Sequence, residues 1–221
     1  MAPRPLGLRV MYVLHLFSGR RRSDDIQDWF ERQRGPEDLP IYVLSLDVAN
    51  DAVFGDLTNE KANAKWKGMM HSGRIAAVLG GPPCETWSRA RHLPPNQCRG
   101  RPPRPLRSPA SLWGLRHLTA REAQQVRLGN RLYRTQLEFM FLCAQYGVPG
   151  MLEHPIQPDE DFMASSWRLP ETQHLSQQLG VENLRVRAFK PSTSHVLNTQ
   201  RPADGNAPTE PSKASRNDVE Y

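Results

Sequence analysis

Apolar positions along this chain fall into short unbroken runs separated by stretches with helical spacing, a pattern that alternates strand and helix from one end to the other. Arg9 to Phe17 (RVMYVLHLF), closed by Ser18-Gly19, reads as a first, central strand. Ser23-Asp24-Asp25 then supplies capping side chains for a helix to about Arg34, with Ile26, Trp29 and Phe30 as its apolar stripe and Gly35-Pro36 as its end. Ile41 to Leu46 is a second strand, ending at Asp47. After Phe54-Gly55-Asp56-Leu57, Thr58 caps a helix to about Ser72 that buries Ala62, Trp66 and Met69 or Met70. Arg74 to Leu79 is the third strand. Thr119-Ala120-Arg121-Glu122 has capping-box spacing and opens the longest helix, with Val126, Tyr133, Leu137, Met140, Phe141 and Ala144 at helical intervals and Gly147 and Pro149 as its stop. Gly150 to Pro155 is a short strand ending in an acid, Pro170 to Leu179 suits a helix stopped by Gly180, and Leu184 to Phe189 reads as a last strand.

Strands alternating with helices predict an α/β fold, a Rossmann-like, mostly parallel sheet with helices on both faces. In such sheets ligands bind outside the carboxyl ends of the strands, where the strand order reverses. Three motifs sit at such ends: Phe17-Ser18-Gly19, Pro82-Pro83-Cys84 and Glu153-His154-Pro155. The length of 221 residues suits one domain, placed at 1–190 with a Pro/Arg-rich insertion at about 93–118. The polar, Pro- and Ser-rich remainder, 191–221, is expected to be disordered.

Charge sharpens this picture. The 29 basic and 23 acidic residues leave +6 overall, but from Arg89 to Arg134 there are eleven arginines, no lysine and one acid, Glu122. Such a run is either a solvated insertion with one polar helix face or a set of phosphate contacts. The excess favours phosphate, with Arg89, Arg91, Arg99, Arg101, Arg104 and Arg107 as the nucleic-acid contacts. Trp87 and Trp113 either stack on bases or pack in the core. Cys84, Cys98 and Cys143 match no zinc spacing, and an odd number argues against a disulfide framework, so no metal is expected and the thiols are read as reduced. Met1 to Val10 lacks the pattern of a signal peptide, and no run approaches the roughly 18 apolar residues of a membrane span. An intracellular location, the nucleus included, follows from that reading, with no membrane partner.

The segment Val78-Leu79-Gly80-Gly81-Pro82-Pro83-Cys84 delivers one thiol on a stiff turn at the end of a strand, because two prolines fix two φ angles and remove two donors. With this loop the chain resembles the catalytic domain of the cytosine-5 DNA methyltransferases. Leu16-Phe17-Ser18-Gly19 is similar to their first cofactor loop, Asp47 to their ribose-binding acid, Gly55-Asp56-Leu57 to their adenine-side turn, and Leu152-Glu153-His154-Pro155 to their catalytic glutamate element. Asn183-Leu184-Arg185-Val186-Arg187 echoes a Gln-x-Arg-x-Arg element. The resemblance implies S-adenosylmethionine as cofactor, held by Phe17, Ser18, Gly19, Asp47, Asp56, Leu57 and Pro82. It implies DNA as partner and Cys84, Glu153 and Arg185 as catalytic residues. Cys84 would add to carbon 6 of a flipped cytosine while Glu153, kept protonated by burial, protonates ring nitrogen 3. The whole chain also resembles mobile-element-associated reading frames of unicellular algae, a likeness that implies no activity.

The chain departs from the family at several points. Gly19 is followed by Arg20-Arg21-Arg22 where the family has further glycines, so three cations stand where a cationic sulfonium needs room. Asp47 and Asp56 are too close for the helix and strand that usually separate them, which predicts the loss of one edge strand. His154 replaces an asparagine, and little chain follows Phe189 for a target-recognition domain, so target recognition would fall to a partner chain. Two readings therefore stand together: a divergent cytosine-5 methyltransferase, or a catalytically inactive nucleic-acid-binding remnant of a mobile element. For single residues, Cys84 is either nucleophile or a small residue on a tight turn, Glu153 either acid or ion-pair partner of an arginine, and Asp47 either ribose ligand or cap of its own turn.

Overall fold

The computed structural model describes residues 10–33, 40–93, 103–155 and 157–178. Within them the strands are β1 (Met11–Leu16), β2 (Ile41–Leu46), β3 (Ile75–Gly80) and β4 (Gly150–Leu152). The helices are α1 (Ile26–Gln33), α2 (Glu60–His71), α3 (Ala120–Tyr146) and α4 (Pro170–Gln178). The four strands form one sheet in the order β2-β1-β3-β4, and every pair is parallel. This is the expected α/β, Rossmann-like arrangement. Leaving β1 the chain moves one way to β2, then returns across β1 to β3 and on to β4. Right-handed crossovers therefore assign α1 to one face and α2 and α3 to the other, and α2 does pack on α3.

Alternation along β1 places Leu14 and Leu16, both fully buried, on one face. They join Val78, Met70, Tyr133 and Phe139 in the main core. α3 has the predicted capping box, Thr119 accepting from the Glu122 amide, and ends at Gly147 in the left-handed conformation. Its buried arc is wider than the apolar stripe foretold, taking in Gly129, Thr135, Gln136 and Phe139, because the sheet, α2, α4 and the insertion all lean on it. Gly129 makes the insertion's approach feasible: a Cβ there would press on the Thr86 hydroxyl at 3.2 Å and on Arg107 at 3.5 Å.

Two expectations shift. The cap of α2 is Asn59, whose side chain accepts from the Lys61 and Ala62 amides, while the Thr58 hydroxyl turns back to Asp56. On α1 no side chain is fully buried and Trp29 is 52% exposed. Between β2 and α2 the chain makes only turns, so among the described residues nothing flanks β2 on its outer side, as the spacing of Asp47 and Asp56 predicts. Cys98, Arg99, Arg101, Arg185, the strand expected at Leu184 to Phe189 and the 191–221 tail lie outside the described residues.

Candidate functional site

The strand order reverses between β1 and β3, so their carboxyl ends open the crevice where a doubly wound sheet takes its ligand. The loop after β1 forms one wall. Phe17 (φ 56°) and Gly19 (φ 70°) both adopt the left-handed region, which a bulky residue such as Phe17 occupies only when its surroundings hold it there. The holding groups come from the turn after β2. Asp47 accepts the Gly19 amide on Oδ2 at 3.0 Å and the Ala49 amide on Oδ1 at 2.9 Å. Asn50 donates to the Ser18 hydroxyl and the Gly19 carbonyl and accepts the Arg21 amide. Asn50 was not legible as a site residue; only its place three residues after an acid at a strand end hinted at it. Gly55 closes this turn, since a Cβ there would overlap the Asp47 carbonyl.

The β3 loop forms the opposite wall. Cys84 is half-buried, and its thiol is pushed up by that burial and then by the nearby Glu85 and Glu153 charges, so at rest it is a thiol and not a thiolate. Glu153 follows β4 directly, its amide donating to the Gly80 carbonyl at 2.8 Å. Its carboxylate lies beside Gly81, within 3.5 Å of where a Cβ would stand. Cys84 and Glu153 thus follow adjacent strands at one edge of the sheet, and Glu153 is exposed where burial was expected. His15, inside β1, is lowered by burial and raised by Asp25 and Glu153, and its Nδ1 has no partner. A titratable residue within an apolar central strand was the one sign of it in the sequence.

His154 points into the core. Its Nδ1 pairs with the Ser166 hydroxyl at 2.6 Å, and its ring stands edge-on to Trp87, Tyr133 and Trp167. Burial, then the charge of Arg107, pulls its pKa down to about 3, so it is a neutral core residue. Trp87 is buried and Trp113 packs against it, so both take the core alternative.

Four described arginines of the run, Arg89, Arg91, Arg104 and Arg107, make internal ties. Arg107, expected on phosphate, is 2% exposed: it donates to Thr86 Oγ1, the Leu112 carbonyl and Asn130 Oδ1, and its guanidinium stacks 3.8 Å from the Trp87 ring. Burial pulls its pKa down to about 9. It is withdrawn from the phosphate set, because no backbone reaches it without opening the core. Arg91 is half-buried and bonded to the Glu85 and Arg104 carbonyls and to Gln125. Arg104 pairs with Glu122 at 2.5 Å and Arg89 with Glu160 at 2.6 Å, both from exposed positions.

For the cofactor implied by the resemblance, the first loop is compatible. Nothing stands within 4 Å of the position a Gly19 Cβ would take, and Arg21 is drawn aside onto Asp25 at 2.5 Å. Asp47 is partly exposed, and each of its carboxylate oxygens keeps a lone pair beyond the bond it accepts. Of the other residues named for the cofactor, Leu57 and Pro82 are buried. Asp56 spends Oδ1 on the Thr58 amide and hydroxyl. Among the described residues no helix is long and apolar enough to cross a membrane, and no group of His, Cys, Asp and Glu is arranged to hold a metal. No family model, curated protein or solved structure matches the chain.

Proposed function

We propose that the carboxyl edge of the sheet is the site of a cytosine-5 methyl transfer on nucleic acid, with Cys84 as nucleophile and Glu153 as acid. The observation that carries this reading is that Cys84 and Glu153 follow neighbouring strands, β3 and β4, at one carboxyl edge, with the Glu153 carboxylate beside Gly81 of the cysteine loop. S-adenosylmethionine, held by the Phe17-Ser18-Gly19 loop and Asp47, would supply the methyl group. The chain's own work is to make carbon 5 of the base electron-rich. Cys84 sulfur bonds to carbon 6 as its proton leaves, and Glu153 delivers a proton to ring nitrogen 3, which accepts the displaced electron pair. Once carbon 5 carries the methyl group, ring nitrogen 3 returns its proton to Glu153, water takes the proton of carbon 5, and the carbon 6–sulfur bond breaks to release the thiolate and restore the ring. The raised Cys84 pKa requires proton removal at the moment of attack, and neutral His15 of β1, within electrostatic reach of Glu153, is a candidate base for it.

A trap with a DNA duplex bearing 5-fluorocytosine tests the reading. The wild-type chain with S-adenosylmethionine is expected to give a denaturant-resistant adduct that Cys84→Ser abolishes and Glu153→Gln slows on the order of 100-fold. An adduct that persists in Cys84→Ser excludes the role. A second reading, an inactive nucleic-acid-binding remnant, draws on Asp47, whose two oxygens already anchor the first loop. Calorimetric titration separates them: a micromolar Kd for S-adenosylmethionine, about −8 kcal/mol, favours the enzyme, and no heat at millimolar ligand from folded protein favours the remnant.

A further inference from the structure

Among the described residues Arg104 and Arg107 of the insertion are spent on internal bonds, and a more open basic surface lies on the face of α3 turned toward α2. A groove of about 670 Å³ runs between the two helices, with Lys67, Arg127, Arg131 and Arg134 on its walls and Asn63 at its floor. Its only carboxylates are Glu60 and Glu138, and each is engaged: Glu138 with Lys67 at 2.5 Å, Glu60 with Arg131 at a loose 4.0 Å. Arg134 lies over the Trp113 ring at 4.4 Å. Arg127 has no ion-pair partner among the described residues and is exposed. Residues 127, 131 and 134 stand at i, i+4 and i+7, one stripe with axial steps of about 6 and 4.5 Å. Like charges at that spacing repel and cost helix stability, a cost that an anion lying along the stripe reverses. Asn63, 9% exposed, gives Nδ2 to the Leu57 carbonyl and leaves Oδ1 without a donor.

We propose that this groove binds the phosphate backbone of a single nucleic-acid strand. The stripe matches a series of separate anions rather than one, and guanidinium groups grip phosphate in two-point contacts. The unpaired Asn63 acceptor favours a strand, which carries hydroxyl or amino donors, over a bare polyphosphate, which carries none. The groove's lining includes neither Cys84 nor Glu153, and the proposal does not depend on the cofactor reading.

The test is fluorescence anisotropy of a labelled oligo-dA strand, whose bases carry amino donors, over a salt series, with Arg127→Gln/Arg131→Gln set against wild type. Both positions are exposed and glutamine is a good helix former, so the fold is kept, and relief of the i,i+4 repulsion is expected to leave the melting temperature unchanged or slightly raised. Affinity is expected to fall on the order of tenfold and the salt slope to shrink by about 1.4, two phosphates' worth for a single strand. Glu60→Gln/Glu138→Gln is expected to tighten binding. Unchanged affinity and slope in the arginine variant overturns the proposal. So does displacement of the strand by tripolyphosphate at equal phosphate concentration, which would make the groove a small-anion site. S-adenosylmethionine titration of the same variants is expected to match wild type, so failure here and failure of the methyl-transfer reading are separately visible.

Discussion

At the scale of single residues, Arg107 and Cys84 carry the two lessons. Arg107 is a buried cation with no carboxylate beside it, kept by four hydrogen bonds and a tryptophan face. Arg107→Ala leaves Thr86, Asn130 and the Leu112 carbonyl unpaired beneath an empty space, and urea unfolding is expected to register a loss of about 3–5 kcal/mol. Arg107→Lys is expected to recover little of it, since one ammonium cannot span Thr86 and Asn130. A loss below about 1 kcal/mol would return Arg107 to the surface set. An arginine surrounded by Pro and Arg reads as solvated in the sequence, because burial of a charge is a property of what folds over it. Cys84 was legible, since Gly-Pro-Pro-Cys after an apolar run dictates a turn locally. Its raised pKa was not, because that comes first from burial and then from the charges of Glu85 and of Glu153, which the chain brings from 69 residues away.

At the scale of elements, α1 and α3 stand at opposite ends. α3 is held by a capping box, by the core on one side and by Arg104, Arg107 and Arg91 of the insertion on the other. α1 buries no side chain fully and is tied by exposed ion pairs, Arg32 with Asp24 and Asp28, and Arg21 with Asp25. Such pairs contribute little. Amide hydrogen exchange is expected to find α1 opening well before α3, with α1 protection falling further as salt is raised. Equal protection in the two helices would contradict this ranking. The apolar stripe Ile26, Trp29 and Phe30 made α1 legible as a helix but not as a weakly covered one, because cover is supplied by elements distant in the chain, and among these α1 packs mainly on β2.

At the scale of the whole molecule, the buried histidines set the response to acid. His154 is held neutral in the folded state with a pKa near 3, against about 6.5 in the unfolded chain, and burial lowers His15 and His92 as well. Between those two values the unfolded chain binds the proton that the folded one refuses. Stability is therefore complete above pH 6.5 and falls as pH drops toward 3, by at most about 1.4 kcal/mol per pH unit for His154. Glu122, lowered by Arg104 to about 2, and Asp25, lowered by Arg21, add losses only below their own unfolded range near pH 4. Loss of stability is thus expected to begin between pH 6.5 and 5, and His154→Gln, which keeps a partner for Ser166, to flatten that part of the curve. Identical pH curves for variant and wild type would remove His154 from the account.

What the sequence determined by itself is what local periodicity and turn chemistry encode: strand and helix order, the capping box of α3, the stop at Gly147, the stiff loop that carries Cys84, and from these the parallel α/β sheet. Each depends on residues within a few positions of one another. The tertiary structure alone decided which charges face water. It put Arg107 and the His154 ring in the core, spent Arg91 and Arg104 on bracing, set Glu153 beside Gly81 of the cysteine loop, and left Arg127 and Arg131 open across from α2. The physical reason is that desolvation and pairing are set by neighbours far apart in the chain, and an arginine carries no local mark of whether its partner will be a carbonyl, a ring or a phosphate.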